Sequence, residues 1–94
     1  MKSLSEVQTL RPIKVKYLPP TNHRGSRVKI SEPNRQVSVT IPYDYSEVND
    51  DTQAFNLLTS KGFNIVARAY DGDTTILLCD NWGENFIDLK TIKE

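Results

Sequence analysis

The residues best equipped for chemistry stand together between Tyr17 and Lys29, in the run YLPPTNHRGSRVK. Thr21, Asn22 and Ser26 offer hydroxyl and amide groups, and Arg24 and Arg27 offer guanidinium forks. Gly25 permits backbone conformations that turn consecutive N–H groups toward one anion. A guanidinium meets phosphate oxygens in a bidentate manner, and Lys14, Lys16 and Lys29 on the adjoining segments extend the positive surface. With Tyr17 beside them, these residues form a candidate site for a nucleotide or for a nucleic-acid backbone. The same composition suits a plain connection, in which Thr21 and Asn22 close turns and the arginines pair with Asp44 or with acids at a helix start. Both readings stand at this level.

Catalysis is harder to build. His23, the only histidine, belongs to the same loop, and Cys79, the only cysteine, ends a strand-like run where such residues are usually packing. The acids Asp71, Asp73 and Asp80 fall in turns, and Asp50 and Asp51 fall at a helix start, positions that turn formation and capping explain. No spacing matches a zinc site, a Walker loop or a dinucleotide fingerprint. The expectation is a non-enzymatic protein with no catalytic residues, metal or cofactor.

The elements that must position the loop follow from hydrophobic periodicity. Residues 1–12 are polar and aperiodic and read as a flexible arm, leaving 13–94 as one domain. Ile13, Val15 and Tyr17 alternate with Lys14 and Lys16, which predicts a strand over 13–18 ended by Pro19 and Pro20. A second strand is expected from Arg27 to Ser31, a turn at Glu32-Pro33-Asn34-Arg35, and a third strand from Gln36 to Ile41. A helix fits 50–61, with Asn49 or Asp50 as N-cap and Gly62 after its end. Strands are then expected from Phe63 to Tyr70, from Thr74 to Cys79 and from Phe86 to Leu89. The order β-β-β-α-β-β-β predicts an α+β domain, a mainly antiparallel sheet with one helix on one face.

Charge adds direction. Net charge is zero, yet residues 1–40 hold eight basic residues against two acids, and residues 41–94 hold four against ten. The basic half suits an anionic partner, although cross-strand pairing of the two halves would also absorb the imbalance. The acidic half, with Asp50 and Asp51, and the half-polar turn around Trp82 offer a second kind of interface, toward a basic protein surface. A lone cysteine, no signal-like apolar segment and no membrane-length run predict a soluble cytoplasmic protein. An exposed sheet edge in so small a domain favours a homodimer.

Residues 13–70 resemble a group of small bacteriophage and mobile-element proteins. The similarity rests on Tyr17, Pro20, Thr21, Asn22, Arg24, Gly25, Ser26 and Arg27, then on Pro42, Tyr43, Asp44 and Tyr45. It implies an accessory role within a bacterial host: binding nucleic acid or a signalling nucleotide, with counter-defence as the setting. The alternative it leaves open is a protein–protein inhibitor of a host defence enzyme, acting through the acidic face or the Trp82 turn. The segment DNWGENFIDLKTIKE has no match in that pattern.

Overall fold

In the computed structural model, residues 3–46 and 49–92 are described. Five strands form one antiparallel sheet: β1 (Arg11–Leu18), β2 (Arg27–Glu32), β3 (Val37–Pro42), β4 (Ile65–Asp71) and β5 (Thr74–Cys79). Their spatial order is β3-β2-β1-β5-β4, so the first strand in the chain is the central one. One α-helix, α1 (Asp50–Ser60), connects β3 to β4. The architecture is α+β. Among the described residues no helix is long and apolar enough to cross a membrane.

Local chemistry accounts for the turns. Between β2 and β3 a single turn at Pro33–Arg35 ends on Gln36 at φ 54°, a left-handed position that lets the chain reverse. Gly72 reverses β4 into β5 at φ 61°. At the start of α1 the Asn49 side chain accepts a hydrogen bond from the Thr52 N–H at 2.9 Å, with Asp50 and Asp51 in the positive first turn. At its end Gly62 takes φ 99°, which allows the Phe63 N–H to bond back to the Leu58 carbonyl at 3.0 Å.

Ala54 and Leu58 press α1 onto the face of β1 and β2 that carries Ile13, Val15, Val28 and Ile30, all fully buried. The rest of this layer is not a sixth strand. The expected strand at Phe86–Leu89 is replaced by two short 3₁₀ turns, Gly83–Asn85 and Leu89–Ile92. The second of these packs on β3 and buries Leu89 and Ile92 completely. Two apolar residues three apart share one face of a 3₁₀ turn, whereas in a strand they would point to opposite sides.

The turn-rich path of this segment also serves the most buried charge in the molecule. β1 begins at Arg11, two residues before the expected start and within the expected arm, and the Arg11 side chain is wholly enclosed. Its Nε and one terminal nitrogen donate to the two carboxylate oxygens of Glu32, at 2.9 and 2.7 Å, and Glu32 itself is 2% exposed. The remaining donors reach the Asn81 carbonyl at 2.9 Å and the Ile87 carbonyl at 3.0 Å. Phe86 lies 4.5 Å from the guanidinium, and Phe63 and Trp82 complete the aromatic wall. The bidentate bond to Glu32 raises the Arg11 pKa above its ordinary value, against burial, which lowers it. Arg11→Ala, which leaves Glu32 buried without its cation, is expected to destabilise the domain by about 3–5 kcal/mol. In urea unfolding, Arg11→Met combined with Glu32→Leu should lose clearly less than Arg11→Ala alone.

Candidate functional site

The loop after β1 is held by its own backbone. The Thr21 N–H donates to the Arg24 carbonyl at 2.8 Å, and the Thr21 hydroxyl accepts from the His23 and Arg24 N–H groups at 3.3 and 3.1 Å. Thr21 is therefore a turn-closing residue. Gly25 keeps φ outside the left-handed region, and a Cβ added there would meet nothing within 4 Å. The backbone at this glycine thus lacks the left-handed step of an anion-binding nest. Asn22, His23 and Arg24 stand exposed.

Ser26 is buried, and its hydroxyl bonds the phenol groups of Tyr17 and Tyr45, each at 2.7 Å. The Tyr43 ring meets both tyrosines edge-on, at 5.6 Å from Tyr17 and 5.0 Å from Tyr45. The Tyr43 N–H donates to the Ser26 carbonyl at 3.0 Å. Tyr17 and Ser26 thus tie the loop to the 43–45 segment on the helix side of the sheet, away from the lysines. Nor do the arginines find acids there. The Asp44 carboxylate accepts from the Ser46 hydroxyl and N–H at 2.7 and 2.9 Å, bonds that hold its pKa below the ordinary value. Among the described residues the one ion pair is Arg11–Glu32.

The opposite face of the sheet is where the cations gather. Directly paired residues of neighbouring strands share a face, and α1 and the Leu89–Ile92 turn cover the Ile13, Val15, Val28 and Ile30 side. The alternate positions face the other way: Lys14 and Lys16 on β1, Arg27 and Lys29 on β2, with Lys16 and Lys29 exposed and Lys14 and Arg27 half-buried. The register sets Lys16 directly opposite Lys29, and Lys29 opposite Thr40. A parallel row runs Lys14, Ser31, Ser38, and another runs Leu18, Arg27, Pro42. Like charges facing each other across a ladder are destabilising, and none of these four cations has an acidic partner among the described residues. The Nε of Arg27 is shielded from solvent and makes no hydrogen bond. No aromatic residue occupies the strand positions of this face; past β1 it turns apolar, through Ile76 opposite Lys14 and Leu78 opposite Pro12.

The remaining expected residues serve the fold. Asp50 and Asp51 are half-buried in the first turn of α1. Trp82 is 47% exposed, but its indole N–H donates to the Thr9 carbonyl at 3.0 Å and its ring lies 6.0 Å from the Arg11 guanidinium. It closes the Arg11 enclosure. Burial pushes the Cys79 thiol pKa up, the reverse of what a nucleophile needs. No group of three or more His, Cys, Asp or Glu able to hold a metal occurs among the described residues.

Of the eight loop and flank residues singled out for binding, the structure brings Arg27 and Lys29 together with Lys14 and Lys16 on the open face and leaves Arg24 and Asn22 beyond the strand ends. The Lys16–Lys29 opposition was not legible without the β1–β2 register. Gly25→Ala should change stability by no more than about 0.5 kcal/mol. Gly62→Ala, which forces a side chain to φ 99° with Ile87 Cδ1 at 3.1 Å, should cost about 1 kcal/mol or more in the same unfolding assay. No protein-family model, curated protein or solved structure matches this chain.

Proposed function

We propose that this protein binds the phosphate backbone of a nucleic acid on the open face of its sheet, with Lys14, Lys16, Arg27 and Lys29 as the contacting cations and Arg24 at the rim. The observation that carries the reading is the direct opposition of Lys16 and Lys29, flanked by two further cations, with no acid among the described residues paired to any of them. An anion seated there converts a repulsion within the sheet into attraction. Successive outward residues of a strand are roughly 6.8 Å apart, close to the spacing of phosphates along a nucleic-acid strand. The uncovered Ser31, Ser38 and Thr40 add hydroxyl donors in the same rows.

Two features favour a backbone over a free nucleotide. The strand positions of this face carry no aromatic residue for base stacking, and two concavities lie elsewhere, between α1 and β4 and beside residues 80–87. The role is one of binding and not of catalysis, and the resemblance of residues 13–70 to small bacteriophage proteins supports an accessory task during infection. A protein target met by Asp50, Asp51 or Trp82 has weaker support, because Trp82 is engaged with Thr9 and Arg11.

The test is fluorescence anisotropy with single-stranded DNA, double-stranded DNA, RNA and a nucleotide panel across a range of salt. Four phosphate contacts predict a log–log salt slope of roughly −3 to −4. Lys16→Glu separates fold from function. It should raise stability by about 0.2–1 kcal/mol, through a new cross-strand ion pair with Lys29, while weakening polymer binding by about tenfold or more. Absence of salt-dependent binding, or binding untouched by Lys16→Glu with Lys29→Glu, would overturn the proposal.

A further inference from the structure

The strand β4 is the anomaly of the fold. It lies at the sheet edge, pairs with β5 on one side only, and every residue after Ile65 is exposed. Those residues are a mixed set, with Arg68 and Asp71 charged but Val66 45% exposed and Tyr70 63%, and Ala67 and Ala69 exposed beside them. β4 contains no proline and no lysine, and its one irregularity, a bulge between Ile65 and Ala67, lies at its beginning. The opposite edge strand, β3, is partly covered by the Leu89–Ile92 turn and ends on Pro42, which has no N–H to offer a ladder. Between β4 and α1 runs an apolar groove of about 360 Å³, bordered by Phe55, Val66 and Leu77. Phe55, on the helix wall of that groove, is 41% exposed.

We infer that a second copy of this chain covers this edge, pairing β4 with β4 about a two-fold axis through Ala69 and joining two five-stranded sheets into one of ten. The register follows from the sequence of the strand. A two-fold axis normal to the sheet pairs residues of equal parity, so the candidate centres are single residues. Centring on Arg68 would set two guanidinium groups directly opposite each other, which is destabilising. Centring on Ala67 would run the ladder through the bulge, and centring on Tyr70 would put Gly72 of the turn into the pairing. Centring on Ala69 uses the regular residues 67–71, sets two small side chains at the axis and places each Arg68 opposite the other copy's Tyr70. The chemistry of that pair is already present within one chain, where the Arg68 guanidinium lies 5.7 Å from the Tyr70 ring. Isologous pairing satisfies the edge of both copies at once and adds exposed apolar area from Val66, Tyr70 and Phe55 to the contact.

Oxidative cross-linking tests the register without disturbing the monomer. Residues directly opposite in an antiparallel pair have Cα atoms about 4.5–5.5 Å apart, within the span of a disulfide. Ala69→Cys is therefore expected to give a covalent dimer in high yield, and Ser38→Cys on the β3 edge is expected not to; Cys79 is buried and stays out of the reaction. Light scattering of the unaltered protein should give twice its mass of 10.7 kDa at high micromolar concentration. Tyr70→Lys, at an exposed position, sets a second cation directly opposite each Arg68 and should return the monomer with an unchanged circular dichroism spectrum. A monomer at every concentration, or Ala69→Cys linking no better than Ser38→Cys, overturns the inference. Neither readout involves nucleic acid, so its outcome is independent of the polymer-binding test.

Discussion

The fold depends on one cation withdrawn from water. Arg11 sits at the start of the central strand, Glu32 at the end of β2, and neither has access to solvent that would solvate it alone. Burying two ions costs several kcal/mol each, and their attraction offsets this only when every donor and oxygen is satisfied. Here the satisfaction is distributed. Two bonds go to Glu32, the others to carbonyls of Asn81 and Ile87, and Phe86 faces Arg11 while Arg35 approaches the same ring at 4.4 Å. One side chain thereby ties β1, the β2–β3 turn and the irregular stretch after β5 into one arrangement. A strand slipped by one residue would turn Arg11 to the open face and leave Glu32 buried and unpaired.

Most of the sheet was legible because alternation is an unambiguous signal. Ile13, Val15, Val28, Ile30, Val39 and Ile41 fall where a period of two puts them, and the helix announces itself through Asn49 and Gly62. What failed was anything that required knowledge of a partner distant in sequence. Arg11 looks like part of a polar arm until Glu32 and Asn81 are brought to it. Phe86 to Leu89 looks like a short strand until Leu89 and Ile92 are seen to cover β3 together. The candidate site was read in part for the same reason. The loop composition drew attention to Thr21, Gly25 and Ser26, whose donors are engaged locally or whose backbone is ordinary. The cations that stand together without an ion pair among the described residues lie on the strands, and only the register reveals that two of them face each other.

The sheet consequently has two unlike faces and two unlike edges. One face holds the apolar core, and the other presents a basic block over β1 and β2 that passes into an apolar strip over β5 and β4. The halves of opposite charge in the sequence do not neutralise each other by ion pairing among the described residues. The positive half keeps its charge on a surface, and the negative half places much of its own at turns and at the start of a helix, where backbone groups already favour it.

The Arg11 enclosure also sets an order of events at the ribosome. Its two carbonyl partners lie 70 and 76 positions farther along the chain, and β1 needs β5 as its second neighbour in the sheet. At about 5–20 residues per second, the first strands leave the exit tunnel seconds before those partners exist. A nascent chain that stops short of Asn81 lacks two of the four hydrogen bonds that hold the Arg11 guanidinium. The β1–β3 meander, local as its contacts are, therefore gains its full enclosure of Arg11 only once residues 81–87 have been made.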